Sequence, residues 1–261
     1  MNILDTIIEH KKWEVNLRRN SRSIGDLEGS ENFSRECLSL RKSILDESKT
    51  GIIAEFKRRS PSRGIINDKA SPAEITSAYT RLGASGLSVL TDEYFFGGSS
   101  GDLLQARQNQ IPILRKDFMI DEYQVLEAKS MGADVILLIA SCLTPSRVKE
   151  LAAVAKNLGM EILLEIHQED ELEHICDDVD LVGVNNRNLR NFEVDIETSV
   201  RLSEKIPANK IRISESGISE IAAIQRLKEF GYKGFLMGEY FMKQPDPSVA
   251  FARFIQQLKT D

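Results

Sequence analysis

Two glutamates and two lysines follow apolar runs at points where strands of a sheet would end. Glu55 and Lys57 lie in IIAEFKRRSPSRG (52–64), Lys116 lies in PILRKDF (112–118), and Glu165 lies in ILLEIH (162–167). Opposite charges in a partly desolvated site determine which group holds a proton at neutral pH. These residues could therefore supply a proton donor and a proton acceptor. Any one of them could instead belong to a structural ion-pair network, but four at strand ends favour catalysis.

A second group of residues could bind an anion. Gly217 in SESGI and Gly238 in MGEY follow two later apolar runs. Such turns leave backbone N–H groups free to bind phosphate, and Ser60, which Pro61 keeps extended, could add a hydroxyl donor. Either glycine alone could simply make a turn, whereas the two together predict a phosphate site.

Further polar and aromatic residues stand near the same strand ends. Asn185 and Arg187 occur in NNRNL (185–189), and Ser216 precedes the first of the two glycines. Phe96 and Phe118 follow two earlier strands and could enclose an aromatic ring, although each alone is compatible with ordinary packing. We therefore expect a polar pocket with an aromatic wall.

These residues converge only if the fold gathers strand ends at one place. Short Val/Ile/Leu-rich runs predict eight strands, at 52–56, 87–90, 111–114, 135–139, 162–166, 181–184, 211–214 and 234–237. Amphipathic stretches predict the helices at 72–82, 101–108, 122–131, 145–158, 169–176, 195–204, 219–230 and 247–259. Several of these helices have start signals, such as Ser71 before Pro72 and Thr144 before Pro145.

The alternation of strands and helices predicts an α/β protein with a single (β/α)8 TIM barrel. The run DVILLIAS (134–141) is continuously apolar, as in a parallel strand that is buried on both faces. A doubly wound open sheet is the alternative, but no strand leads into G-x-G-x-x-G. The predicted organisation is a helical N-terminal extension (1–46) packed on a barrel domain (47–261). In such a barrel the active site lies at the carboxyl ends of the strands.

The composition excludes several classes of protein. The chain has 34 Lys and Arg against 40 Asp and Glu, a net charge of −6, so we expect no nucleic-acid partner. No apolar run reaches the roughly 18 residues of a membrane helix, so we expect no membrane association. Cys37, Cys142 and Cys176 lack paired spacing, which argues against disulfides and structural zinc and indicates a cytoplasmic protein.

Six ordered motifs resemble those of indole-3-glycerol phosphate synthase. They are E-x-K-x-x-S-P-S, P-I-L-R-K-D-F, L-L-E-I-H, N-N-R-N-L, S-E-S-G-I and L-M-G-E, and the resemblance runs from about residue 4 to the C-terminus. That family converts 1-(2-carboxyphenylamino)-1-deoxyribulose 5-phosphate into indole-3-glycerol phosphate, carbon dioxide and water, in tryptophan biosynthesis. The resemblance implies a carboxy-lyase with a phosphosugar substrate. We expect a monomer that needs no cofactor and no metal.

The resemblance also implies a role for each matching residue. Lys116 would be the general acid on the substrate ketone, and Glu165 the general base of the later dehydration. Lys57 would hold the substrate carboxylate, and either lysine could expel the hydroxyl group. The rest of the catalytic group would be Glu55, Asn185 and Ser216, which Glu215 could join. The phosphate would contact Ser60, Gly217, Gly238 and the backbone of Glu239. The substrate pocket would be lined by Phe96, Phe118, Arg187 and Leu189.

Two other functions stay open at this point. A class I aldolase would use a desolvated lysine such as Lys116 to form a Schiff base with a sugar-phosphate ketone. A non-catalytic phosphosugar-binding protein could use the same scaffold, since a fold does not define a function. We interpret His167 as a structural or peripheral residue and Cys142 as a buried thiol.

Overall fold

The computed structural model describes residues 3–188 and 192–260. Before the first strand, the chain forms the helices α1 (Ile3–Ser21), α2 (Ile24–Glu28) and α3 (Leu40–Leu45). Ile7, Lys11 and Val15 are buried along α1. Their spacing of four places them on one stripe of the helix, so this stripe faces the rest of the protein. No helix in 3–188 or 192–260 is long and apolar enough to cross a membrane.

Within the described ranges, eight parallel strands close into a barrel in which sequential neighbours pair and the last strand pairs with the first. The strands are β1 (Ile52–Phe56), β2 (Gly86–Leu90), β3 (Ile113–Lys116), β4 (Val135–Ile139), β5 (Glu161–Ile166), β6 (Leu181–Asn185), β7 (Ile211–Glu215) and β8 (Tyr232–Met237). The structure therefore confirms the predicted (β/α)8 TIM barrel.

Helices follow the strands and surround the barrel. They are α4 (Pro72–Arg81), α5 (Ser100–Ala106), α6 (Glu122–Met131), α7 (Pro145–Asn157), α8 (Glu197–Ser203), α9 (Ile221–Glu229), α10 (Glu239–Met242) and α11 (Pro247–Thr260). The predicted start signals act as caps, because the side chains of Ser71 and Thr144 accept the backbone N–H of Glu74 and Arg147. Capping fixes where these two helices begin and so fixes the lengths of the loops that precede them.

Some segments differ from the sequence prediction, and two of them lie in the connections after β1 and β5. The predicted α-helix at 169–176 is a 3-10 helix at Glu169–His174. Its buried residues, Glu171 and His174, are three apart, which suits the three residues per turn of that helix. The loop after β1 contains an unpredicted hairpin that pairs Arg59–Ser60 with Gly64–Ile65. These strands have only two residues each, too few to show a periodic pattern.

The barrel interior is apolar at its amino end and is closed there by α3. Leu40 and Ile44 of this helix are buried in one cluster with Ile53, Leu163 and Ile213 of the strands. Because α3 covers this end, substrate access is left to the carboxyl ends of the strands.

A buried ion pair fixes α1 to the barrel. The Nζ atom of Lys11 lies 2.8 Å from Asp92 Oδ2, 2.8 Å from Asp117 Oδ1 and 2.9 Å from Glu14 Oε2. Burial lowers the pKa of Lys11, but the three carboxylates outweigh this effect and raise it above its usual range. Asp117 follows Lys116 directly, so this pair connects the extension to the end of β3.

We expect Lys11→Met to destabilise the protein by about 3 kcal/mol, because it leaves the buried Asp92 without its cation and leaves Asp117 with Arg115 alone. Urea unfolding at neutral pH measures the change. Lys12→Met is the matched control, since the exposed pair of Lys12 with Glu9 should contribute less than about 1 kcal/mol. Equal stability of the two variants would contradict the role of Lys11 as an anchor.

Candidate active site

A cavity of about 430 Å³ opens at the carboxyl ends of the strands. This is within the usual size range of small-molecule sites. Every sequence-predicted site residue that the structure describes lines this cavity: Glu55, Lys57, Ser60, Phe96, Lys116, Phe118, Glu165, Asn185, Arg187, Ser216, Gly217, Gly238 and Glu239. Leu189, also predicted to line the pocket, lies outside the described residues. The first turns of α1 contribute Ile3, Leu4 and Ile7 to the wall.

Lys116, at the end of β3, lies among carboxylates from other strands. Its Nζ atom donates to Glu165 Oε2 at 3.2 Å and lies 3.7 Å from Glu215 Oε2. Asn185 Nδ2 donates to the other oxygen of Glu165, Oε1, at 3.1 Å. Residues from β3, β5, β6 and β7 thus meet at one point, as the predicted barrel requires.

Lys57 and Glu55 form a second pair at the end of β1. Lys57 Nζ donates to Glu55 Oε1 at 2.6 Å, and Ser88 Oγ of β2 donates to Glu55 Oε2 at 3.3 Å. A Cβ atom at Gly238 would lie 2.7 Å from Glu55 Oε1 and 2.8 Å from its Cβ. A glycine is therefore required at 238 for the buried Glu55 to reach Lys57.

The two carboxylates beside Lys116 differ in charge. Burial raises the pKa of Glu165, but Lys116, His167 and Asn185 outweigh this effect and hold it well below its usual range. Burial and the negative charge of Glu165 raise the pKa of Glu215 to about 8. At neutral pH the site therefore holds a charged Glu165 that can accept a proton and a mostly protonated Glu215.

Lys116 is held as an ammonium ion. Burial lowers its pKa, but Glu165, Glu215 and Glu55 outweigh burial and raise it above its ordinary value. A Schiff-base lysine needs the opposite shift, because only the neutral amine attacks a carbonyl group. This environment suits a proton donor and disfavours the aldolase.

His167 contacts the base directly, which the sequence analysis did not anticipate. Its Nε2 atom lies 3.3 Å from Glu165 Oε1, and its Nδ1 atom lies 3.5 Å from Glu171 Oε2. The sequence did contain a signal for this contact, because residues two apart in a strand, such as Glu165 and His167, lie on the same face. The neighbouring Cys142 has its pKa raised to about 12 by burial, so its thiol stays neutral.

The loops after β7 and β8 form the end of the cavity where the sequence predicts phosphate. Ser216 and Gly217 both adopt left-handed backbone conformations, with φ of 66° and 77°. This conformation is costly for serine, and Asn186 Nδ2 stabilises it by donating to the Ser216 carbonyl at 3.0 Å. Ser60 from the loop after β1 lines the same cavity.

Glu239 joins two arginines at this end. Arg63 Nε donates to its Oε1 atom at 3.1 Å, and Arg187 Nη2 donates to Oε2 at 3.0 Å. The sequence analysis did not single out Arg63, whose exposed loop position gives no apolar pattern. These two ion pairs connect the loops after β1, β6 and β8 around the opening.

Phe96 and Phe118 form one wall of the cavity. Their ring centroids are 6.0 Å apart and the ring planes are inclined by 43°. This is a direct ring–ring contact, so the two side chains present one aromatic surface rather than enclosing a third ring. A planar aromatic substrate could pack against this surface.

Comparison with known proteins gives one consistent result. The model of the family described as "Indole-3-glycerol phosphate synthase" matches residues 4–254. A protein of that name from Bacteroides thetaiotaomicron is 47% identical over 259 residues, covering 99% of this chain and 99% of the relative. Proteins of that name from Polaromonas sp. (43%; 97% of each chain) and Bordetella pertussis (40%; 97% of this chain, 99% of the relative) are also similar.

Proposed function

The chain belongs to the indole-3-glycerol phosphate synthase family, and we propose that Lys116 and Glu165 are the acid and base of its reaction. The reaction closes the indole ring of 1-(2-carboxyphenylamino)-1-deoxyribulose 5-phosphate, with loss of carbon dioxide and water. The observation that carries the assignment is the contact of Lys116 Nζ with Glu165 Oε2, 3.2 Å apart in the cavity.

Substrate binding uses both ends of the cavity in this proposal. The phosphate lies against Ser60 and the backbone N–H groups of Gly217, Gly238 and Glu239. The carboxylate lies near Lys57, and the aromatic ring packs against Phe96 and Phe118, which are 6.0 Å apart. The remaining pocket contacts come from Arg187 and Leu189. A fixed phosphate orients the ketone toward Lys116, and such positioning lowers the barrier to ring closure.

Ring closure begins when the carboxylate-bearing ring carbon attacks the ketone carbon. Negative charge develops on the ketone oxygen, and the Lys116 ammonium ion gives that oxygen a proton. The charged carboxylates of Glu165 and Glu55 keep Lys116 protonated before this step. Departure of carbon dioxide then restores the aromatic ring without any electron sink in the protein.

Dehydration completes the indole. Glu165 removes a proton from the carbon beside the new hydroxyl-bearing centre, and the hydroxyl group leaves as water after protonation by an acid. Lys57 and Lys116 are both within the cavity and both can supply that proton. Glu55 orients Lys57, Asn185 orients Glu165, and Ser216 lies beside them at the exit of β7.

The test is turnover of the carboxyphenylamino deoxyribulose phosphate by the purified full chain, followed by indole fluorescence. We expect product formation without an added metal or cofactor. The same compound without its phosphate is the control, and it should react much more slowly because it lacks the anchoring group. Binding of the phosphorylated compound with no product would instead support a phosphosugar-binding protein.

We also propose that the protein is a cytoplasmic monomer with residues 1–46 as an extension packed on a barrel domain, 47–261. The described residues of the predicted site all line one cavity, so the proposed chemistry needs no residue from a partner subunit. The contacts of Lys11 with Asp92 and Asp117 support the extension as a part of the same folded unit. The unpaired spacing of the cysteines supports a reducing compartment.

A further inference from the structure

His167 lies behind the proposed base and outside the lining of the cavity in the described structure. Only 12% of its side chain is exposed, and its ring lies between Glu165 and Glu171. Its own backbone N–H donates to Glu171 Oε2 at 2.5 Å. Among the described residues, neither ring nitrogen makes a hydrogen bond of good geometry, so the attraction to the carboxylates is that of ion pairs.

The two oxygens of Glu165 have different surroundings. Oε1 accepts from Asn185 Nδ2 at 3.1 Å and lies 3.3 Å from His167 Nε2. Oε2 lies 3.2 Å from Lys116 Nζ, on the side of the cavity. We propose that His167 is a positioning residue whose imidazolium ion occupies Oε1 of Glu165 and leaves Oε2 as the oxygen that accepts the substrate proton. This inference rests on the proposed role of Glu165 as the base.

The charge of His167 follows from what surrounds it. Burial lowers its pKa, but Glu165 on its own strand and Glu171 on the following 3-10 helix outweigh burial and raise the pKa to about 9. The other groups near this pair are Asn185 on β6, the neutral thiol of Cys142 after β4, Lys116 on β3 and Glu215 on β7. The ring is therefore cationic at neutral pH.

A cation behind the base has two effects on catalysis. It lowers the pKa of Glu165, so the carboxylate stays ionised to lower pH. It also fixes the plane of the carboxylate, and a displaced base can cost up to about a hundredfold in rate. Loss of the imidazolium proton above about pH 9 should therefore reduce kcat.

The charge can be measured without catalysis. The chain has three histidines, so the C2–H signals can be assigned by NMR of the full-length protein. We expect His167 to titrate near pH 9 and Glu171→Gln to lower its pKa. His10, whose ring stacks on Tyr94, is the internal control, and its C2–H signal should be the same in both proteins. A His167 pKa at or below the ordinary value of about 6.5 would overturn the proposal.

Kinetics of two variants separate positioning from mere packing. His167→Leu removes the charge and the contact, and should lower kcat about ten- to a hundredfold while KM changes less than about twofold. His167→Gln removes the charge but keeps an amide donor near Oε1, and it should lower kcat by a smaller factor than His167→Leu. In both variants the acid limb of the pH profile of kcat/KM should move to higher pH, because the pKa of Glu165 rises when the neighbouring cation is removed.

A purely structural histidine would not move that limb, so an unchanged acid limb in folded His167→Gln contradicts the inference. The alkaline limb needs one control, because Glu215 titrates near pH 8. Glu215→Gln removes that titration, and the decrease of kcat above about pH 9 that we assign to His167 should remain. If the unmodified protein does not form indole, the proposed function fails, whereas the NMR titration still reports the charge of His167.

Discussion

We expect Lys116→Ala to lower kcat by about a thousandfold. The variant lacks the ammonium ion that protonates the ketone oxygen during ring closure, and water is a poor substitute in a buried site. The phosphate end of the cavity, at Gly217 and Gly238, is untouched, so affinity for inorganic phosphate should stay the same. Single-turnover indole fluorescence and phosphate titration measure the two quantities. A fully active Lys116→Ala protein would contradict the assignment of the acid.

Lys116→Arg separates charge from proton donation. Arginine keeps a cation beside Glu165 and Glu215 and should preserve the fold, but it does not release a proton at these pH values. We therefore expect this variant to be folded and nearly as slow as Lys116→Ala.

Borohydride added with substrate to the unmodified protein during turnover should give no covalent adduct on Lys116, whereas an adduct would support the aldolase. Mass spectrometry of the intact chain detects it.

The barrel could be predicted because its strands are buried on both faces. β1 and β4 have the predicted bounds, since VILLI is continuously apolar and IIAEF is apolar except for Glu55. β3 was predicted at 111–114 but extends over Ile113–Lys116. The apolar run in the sequence ends at Leu114, before the charged Arg115. In the structure, however, Arg115 is fully buried in the strand and bonds to Asp117 and Glu127. Hydrophobic periodicity does not detect a buried charge that has its partner on another element.

The identities of the site residues could be predicted, but their pairing could not. The position of Lys116 at a strand end follows from the local sequence. Its contact with Glu165, 49 residues later, depends on the registers of β3 with β4 and of β4 with β5. Lys11 illustrates the same limit. A lysine on an amphipathic helix is expected on the solvent-exposed face, and only the fold shows that it is buried beside Asp92 and Asp117.

We expect Glu165→Gln to lower kcat by about a thousandfold, with little change in KM. Glutamine has the same size and can keep the contact with Asn185, but it does not accept the substrate proton. Glu161→Gln is the matched control on the same strand. Glu161 lies at the opposite end of β5, where it accepts from Ser39 and the Arg41 backbone, so this change should leave kcat unaltered.

The order of products gives the sharper test of Glu165. Glu215 lies 3.7 Å from Lys116, and with Glu55 it should keep the ammonium charged in Glu165→Gln. Ring closure and loss of carbon dioxide should therefore continue while dehydration stalls. In a single turnover, carbon dioxide should appear well before indole fluorescence. If both signals slow by the same factor, Glu165 acts at or before ring closure, and the base of the dehydration must be sought elsewhere.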